Sequence, residues 1–232
     1  MLNNTEISPV AYARIAGVLY LLIIFFGIFS EVFIRSQLIE EGDAIATATN
    51  VLASEGLFRF AFVADAIMLL SDVAIAVLFY ILLKPVSKTL ALLAAVFRLT
   101  QASVLGFNLL NYYVALLLIK GEGYISTFFE TEQLQTLALL FLDVHRHGYD
   151  LGLIFFGFSC FTLGFLLIKS EYFPNVLGFG LIAAGIVYET GSFMRFLFPE
   201  HLSIIEPFYI IPLIAELSFC LWLLAKGVRI KS

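Results

Sequence analysis

The chain has 232 residues, of which 61% are hydrophobic and only 13% are charged, and its mean hydropathy is +1.00. Soluble domains are about 45–50% apolar and about 25% charged, so a water-soluble fold of this length could not bury so much apolar surface. The net charge of −5 includes no basic patch or run, which argues against nucleic acid as a partner. We therefore predict an all-α integral membrane helical bundle, with the lipid bilayer as its main partner.

Six stretches are long and apolar enough to be spanning helices, each of which needs about 20 residues. In chain order they cover about residues 12–34, 57–83, 90–119, 149–168, 175–198 and 207–225. Lys84-Pro85 ends the second stretch, and Pro174 precedes the fifth, since proline interrupts a helix. We predict one transmembrane domain over residues 1–232, without a soluble domain.

The stretch from Glu132 to Lys169 is too long for one crossing at about 1.5 Å per residue. We divide it at Gly148, because glycine weakens a helix. Residues 134–144 are then too few to cross a bilayer, and they are predicted to form a short interfacial or re-entrant helix.

Lysines and arginines in short loops set the orientation of a membrane protein, because positive charge is retained in the cytoplasm. With both termini in the cytoplasm, seven of these residues lie on the inner side: Arg14, Lys84, Lys88, Lys169, Lys226, Arg229 and Lys231. Five lie on the outer side: Arg35, Arg59, Lys120, Arg146 and Arg195. We therefore predict cytoplasmic termini, which also requires an even number of spans.

Several charged and amide side chains lie inside the predicted spans: Asp65, Asp72, Arg98, Gln101, Asn108, Glu189 and Glu216. A charged residue in lipid costs roughly 2.5–3.5 kcal/mol on insertion scales, so such residues face the bundle interior and often mark function. The four carboxylates share one deep arginine, Arg98. Either some of them are protonated, or water or a bound cation reaches them.

Two interpretations of this set remain open. In the functional one, these residues form a polar cavity that is open to the outside and binds, senses or transports a small solute, a proton or a cation. In the structural one, Asp72 or Glu216 pairs with Arg98, and the other groups form hydrogen bonds between helices. A structural subunit without a ligand site would need only the second arrangement.

A second polar cluster consists of Asp143, His145, His147 and Asp150. Aspartate and histidine together suggest a metal site or acid–base catalysis. The alternative to solute binding is therefore a membrane-embedded, lipid-active hydrolase or transferase that uses Asp143, His147 and Asp150. His145 and His147 point about 200° apart on a helix, so they cannot bind one ion without local unwinding. A polar helix corner at the headgroup level is the simpler interpretation, and no other cofactor is evident.

Two short spacings suggest packing. Glu31 and Arg35 are separated by one helical turn and are predicted to form a surface salt bridge. Gly180 and Ala184 form a small-residue step, which favours close helix packing within the chain or in a homo-oligomer.

The chain resembles a bacterial multi-pass membrane family that is catalogued only as a domain of unknown function. The motifs that carry the resemblance occur in order along nearly the whole chain: Arg14-Ile-Ala-Gly-Val-Leu-Tyr, Ala64-Asp65-Ala, Ser71-Asp72-Val-Ala, Ala95-Val-Phe-Arg98-Leu-Thr-Gln101, Phe141-Leu-Asp143-Val-His145 and Tyr149-Asp150-Leu-Gly. The resemblance implies a protein of the bacterial cytoplasmic membrane. It implies no substrate or activity.

Overall fold

The structure is a computed structural model that describes residues 8–123 and 125–229. The described part of the chain contains helices and connecting turns but no strand. The helices are α1 (Pro9–Leu38), α2 (Ala44–Ala53), α3 (Glu55–Leu83), α4 (Lys88–Lys120), α5 (Thr131–Lys169), α6 (Asn175–Leu197) and α7 (Ile210–Ala225).

Six helices in the described residues are long and apolar enough to cross a membrane. They are Pro9–Leu38, Glu55–Leu83, Lys88–Lys120, Thr131–Lys169, Asn175–Leu197 and Pro199–Ala225, the last of which combines α7 with short helical turns over residues 199–209. The predicted all-α membrane bundle is therefore confirmed. The predicted extent of the domain, residues 1–232, stays a prediction.

The six long helices form a closed cycle of contacts. Helix α1 packs against α3 and α7, α3 against α4, α4 against α5, α5 against α6, and α6 against α7. Large apolar side chains on the outside of this ring, such as Leu70, Phe107 and Val176, are at least 71% exposed. Such an apolar surface fits contact with the lipid bilayer.

Both described ends of the chain lie at the same end of the bundle. Gly227, which follows α7, packs against Val10 and Ala13 near the beginning of α1. We call this the terminal end, and it also carries the connections 84–87 and 170–174. The opposite end carries α2 and residues 121–130 and 199–209, and we call it the cavity end.

Helix α5 is continuous from Thr131 to Lys169, so the predicted division at Gly148 is wrong. Its 39 residues are about 58 Å long, roughly twice the thickness of the hydrocarbon core, and its first part therefore extends beyond the lipid at the cavity end. Gly148 allows close packing instead of a break, because a Cβ there would lie 2.1 Å from Oδ1 of Asn108. The short helix predicted over residues 134–144 is the beginning of α5, and α2 is a short helix that the sequence did not predict.

The last turns of α1 are π-helical over Phe29–Arg35. A π-helix bonds each N–H to the fifth preceding carbonyl, is rare, and often occurs at functional sites. In this segment Glu31 is exposed, whereas Arg35 is buried and faces α3. The wider turn thus brings a charged side chain from the end of α1 into the bundle.

Candidate functional site

The buried polar side chains form two layers at different depths. Asp72, Arg98 and Glu216 lie nine to eleven residues from the ends of their helices at the terminal end, which is about 15 Å and close to the bilayer midplane. Asp65 and Asn108 lie eighteen and twenty residues from the same ends, which is about 27–30 Å. We call the two sets the midplane layer and the upper layer.

The midplane layer contains a buried ion pair between α3 and α4. Nε of Arg98 donates to Oδ1 of Asp72 at 2.8 Å, and Nη2 of Arg98 lies 2.7 Å from the same oxygen. Gln101 donates from Nε2 to Oδ2 of Asp72 at 3.4 Å. Arg98 is only 2% exposed, so the pair is closed off from the surface. This is one of the two pairings, with Asp72 or with Glu216, that the structural interpretation of the sequence allowed for Arg98.

Aromatic rings surround the guanidinium of Arg98. Its central carbon lies 5.2 Å from the ring centroid of Tyr20, 5.0 Å from that of Phe156 and 6.0 Å from that of Phe79. The negative face of an aromatic ring attracts a cation, more strongly where water is excluded. The rings therefore complete the surroundings of a charge that has one carboxylate partner.

Glu216 of α7 belongs to the same layer and binds two phenols. Tyr20 of α1 donates its hydroxyl to Oε2 at 3.0 Å, and Tyr188 of α6 donates to Oε1. These bonds connect α1, at the beginning of the described chain, with the last two helices, α6 and α7. Hydrogen bonds between helices are a common means of fixing a membrane bundle, so the geometry of Glu216 fits a packing role.

Glu189 of α6 is placed differently from the other carboxylates. Neither of its carboxylate oxygens is exposed, and the hydrogen-bonding group nearest to them is the main-chain N–H of Phe158. The carboxyl group lies over Gly157 of α5, where a Cβ would be 2.4 Å from Oε1. Glu189 is therefore separate from both ion pairs.

The upper layer contains a second buried ion pair, which the sequence did not predict. Nη1 of Arg35 donates to Oδ2 of Asp65 at 2.6 Å, and Nε of Arg35 donates to Oε2 of Glu31 at 2.7 Å. The predicted bond between Glu31 and Arg35 is present, but it is not a surface bridge, because Arg35 is 6% exposed. Arg98 is thus not the only deep arginine, and the predicted charge imbalance is smaller.

His145 and Asn108 join α5 to α4 in the upper layer. Nδ2 of Asn108 donates to the main-chain carbonyl of His145 at 2.7 Å, and Nδ1 of His145 lies 3.2 Å from the main-chain carbonyl of Asn108. Nε2 of His145 has no hydrogen-bond partner among the described residues, although His145 is only 5% exposed. One buried polar atom of this pair is therefore left for another partner.

A cavity of about 510 Å³ opens at the cavity end, above the upper layer. Its wall combines charged, aromatic and aliphatic side chains from α1, the following connection, α5, α6 and the turns before α7. The lining residues are Glu31, Arg35, Ser36, Ile39, Glu41, Leu139, Leu142, Asp143, His145, Arg146, Tyr149, Asp150, Leu153, Arg195 and Tyr209.

Each arginine on the cavity wall forms a salt bridge. Arg35 binds Glu31 and Asp65, as described above. Arg146 pairs with Glu41 and, at 3.1 Å, with Oδ1 of Asp143. Arg195 of α6 pairs with Asp150 of α5. The guanidinium groups therefore cross-link the connection after α1, α5 and α6 around the cavity.

The sequence predicted a polar cavity that opens at this end of the bundle, but it did not predict most of the residues that line the cavity. The side chains that line it do not include the seven predicted ligand-binding residues: Asp65, Asp72, Arg98, Gln101, Asn108, Glu189 and Glu216. Asp65 and Asn108 lie directly behind lining residues, as partners of Arg35 and His145. The others lie deeper or, in the case of Glu189, between α5 and α6.

The predicted metal or catalytic cluster is not assembled as one centre. In residues 8–123 and 125–229, no group of three or more histidine, cysteine or acidic side chains is placed to hold a metal ion. Asp143 pairs with Arg146, Asp150 pairs with Arg195, and Nδ1 of His147 lies 2.8 Å from the carbonyl of Asp143. His145 faces Asn108 instead. Three of the four residues, Asp143, His145 and Asp150, nevertheless lie on the cavity wall.

The comparisons with known proteins agree with the motifs in the sequence. The model of the family described as "Domain of unknown function (DUF4386)" matches residues 15–227. An uncharacterized protein of Archaeoglobus fulgidus is 27% identical over 165 residues, which cover 71% of this chain and 82% of that protein. No solved structure matches the chain. Because the family model covers nearly all of it, the chain belongs to the DUF4386 family.

Proposed function

We propose that this multi-pass membrane protein binds a small solute in the cavity, as the first step of sensing or transport. The observation that carries the proposal is the cavity itself, where three arginines and four carboxylates converge on a volume of about 510 Å³. Ligand pockets generally measure about 300–1,000 Å³ and combine apolar walls with a few convergent polar groups. Leu139, Leu142 and Leu153 supply the apolar part here.

We also propose that the cavity end faces the outside of the cell. The distribution of lysine and arginine supports this orientation, with seven at the terminal end and five at the cavity end. One of the seven, Lys231, lies outside the described residues. A solute would then enter from the external medium.

The midplane layer fits a binding site that is closed on one side. Below the cavity, the Arg98–Asp72 pair and its aromatic neighbours fill the bundle interior. A solute could cross only if these helices moved apart. Binding therefore comes first in the proposed function, and transport would require a second conformation.

Cysteine labelling tests the accessibility of the cavity. Leu153 lines it, whereas Leu151, on the same helix, is 45% exposed on the apolar surface. A maleimide reacts with a thiolate, which forms in water rather than in lipid. In intact cells, an impermeant maleimide should therefore label the Leu153→Cys protein and leave the Leu151→Cys protein unlabelled. The natural cysteines, Cys160 and Cys220, are buried, so the unmodified chain gives the baseline.

The same experiment has two outcomes that contradict the proposal. Labelling of the Leu153→Cys protein only in inverted vesicles would show that the cavity faces the cytoplasm. A failure to label it from either side would show that the cavity does not admit solutes. A bound solute should slow the labelling, so the variant also serves as a binding assay.

A further inference from the structure

We infer that the solute is a small organic ammonium ion, with N–H donors on a short apolar body. The inference rests on the proposed solute-binding function and specifies its ligand. It is carried by three properties of the cavity wall: its charge, its unpartnered polar atom, and its aromatic and aliphatic side chains.

The charge of the wall favours a cation. Four lining carboxylates, Glu31, Glu41, Asp143 and Asp150, face three lining guanidinium groups, which leaves one negative charge in excess when His145 is neutral. Asp65 adds a second negative charge behind Arg35. Salt bridges pair every lining arginine and every lining carboxylate, so the preference for a cation comes from this excess of negative charge.

The free hydrogen-bonding capacity of the wall favours a donor. Nδ1 of His145 is 3.2 Å from the carbonyl oxygen of Asn108 and 3.3 Å from its Nδ2. Because Nδ2 already donates to the main-chain carbonyl of His145 at 2.7 Å, we place the ring proton on Nδ1, where it donates to the carbonyl oxygen of Asn108. Nε2 then carries a lone pair and, among the described residues, has no donor for it. Behind the wall, Oδ1 of Asp65 is also an acceptor without a described donor, and Asp65 is 3% exposed. An ammonium N–H would satisfy such an acceptor, whereas an ionised carboxylate, which has no donor, would not.

The remaining side chains suit the rest of such an ion. Tyr149 and Tyr209 line the cavity, and a cation is attracted to the face of an aromatic ring. Leu139, Leu142 and Leu153 provide an apolar surface for a short alkyl or aryl group. A bare metal cation would leave that surface unused.

Protection of the Leu153→Cys protein from maleimide tests the inference with matched solutes. Butylammonium should slow the labelling, whereas butanol and butyrate at equal concentration should leave it unchanged. Tetramethylammonium, a cation without N–H groups, should bind at least about tenfold more weakly. Stronger protection by butyrate or butanol, or no protection by ammonium ions from ethyl to octyl, would overturn the inference. In either case labelling itself still reports an open cavity, so the two proposals fail separately.

Two pairs of variants locate the binding. Butylammonium should bind about tenfold more weakly to the His145→Phe protein, which keeps a ring beside Tyr112 but loses Nε2. His147→Phe is its control, because His147 is exposed and does not line the cavity. Equal binding by these two variants would contradict the role of His145.

The second pair of variants changes residues of the exposed connection after α1, so it should not disturb the packing of the bundle interior. Glu41 lines the cavity, and its neighbour Glu40 does not. Glu41→Gln should weaken butylammonium binding severalfold and Glu40→Gln should not, because only the first removes the excess charge of the wall. Equal affinities for these two variants would contradict the charge argument even if the His145→Phe protein failed to fold.

Discussion

Two Arg–Asp pairs of similar geometry lie in different surroundings in this bundle. Arg98–Asp72 is enclosed by aromatic rings at the midplane, and Asp72 also binds Gln101. Arg35–Asp65 lies under a cavity, and one oxygen of Asp65 has no described partner. Both layers contain buried polar atoms without a described partner, Oε1 of Gln101 in the first and Oδ1 of Asp65 in the second, but only the second pair borders a cavity. Only the upper layer therefore adjoins a volume that a solute could enter, and the proposed function depends on this difference.

The largest effect should come from breaking the enclosed pair. Arg98→Met leaves Asp72 buried without a counter-ion and should lower the free energy of unfolding by about 3–5 kcal/mol. The double variant Arg98→Met with Asp72→Leu should recover much of the loss, because two apolar residues of similar size replace both charges. Unfolding in detergent by increasing amounts of a denaturing surfactant measures both. If Arg98→Met lowers the free energy of unfolding no more than the exposed control Arg59→Met does, the conclusion that Arg98 and Asp72 form an enclosed, stabilising pair is wrong.

A smaller loss of stability is expected at the upper layer. Arg35→Met should lower the free energy of unfolding by about 1–3 kcal/mol, because Asp65 loses its partner but lies close to the cavity. The same variant should also strengthen butylammonium binding, because the loss of Arg35 frees Glu31 and Asp65 and adds one negative charge to the excess at the wall. Unfolding and labelling protection measured on one preparation check both effects. A larger loss than for Arg98→Met would remove the distinction between the layers.

The smallest expected effect concerns the contact between α4 and α5. In the Gly148→Ala protein the new methyl group meets the side chain of Asn108. Overpacking of this kind typically lowers the free energy of unfolding by about 1–3 kcal/mol. The better helix propensity of alanine should offset part of this loss. Gly56→Ala is the control, because no atom lies within 4 Å of the added methyl group. If both variants unfold alike, Gly148 is not a packing position and the predicted helix break regains support.

The helices could be predicted from the sequence because hydrocarbon imposes a length and a composition on every span. A pairing of Arg98 with Asp72 or Glu216 was also expected, because a buried arginine needs a carboxylate partner. The depth at which a charged side chain lies in the bundle was harder to predict. Arg35 was placed at a surface because it ends an apolar run, and nothing in the local sequence indicated the π-helical turn that brings it to Asp65.

Only part of the cavity wall, Asp143, His145 and Asp150, was among the predicted site residues, because the wall comes from five separate parts of the chain. Arg146 and Arg195 were counted only for orientation, yet both lie on the wall. The continuity of α5 was missed for a related reason. A glycine in a helix is read as a break when the neighbouring helix is unknown, and here the neighbour is Asn108.

The π-helical turn also gives the wall a means of rearrangement that needs no melting of α1. Its hydrogen bonds over Phe29–Arg35 skip one residue more than those of an α-helix. Rewinding to α-helical bonding over seven residues would rotate whatever follows by roughly a third of a turn about the helix axis. Arg35 would then swing off Asp65, and the lining groups of α1 would turn with it while the lower part of the helix stayed in place. A shift of the hydrogen-bond register over Phe29–Arg35 would thus change which side chains of α1 line the cavity.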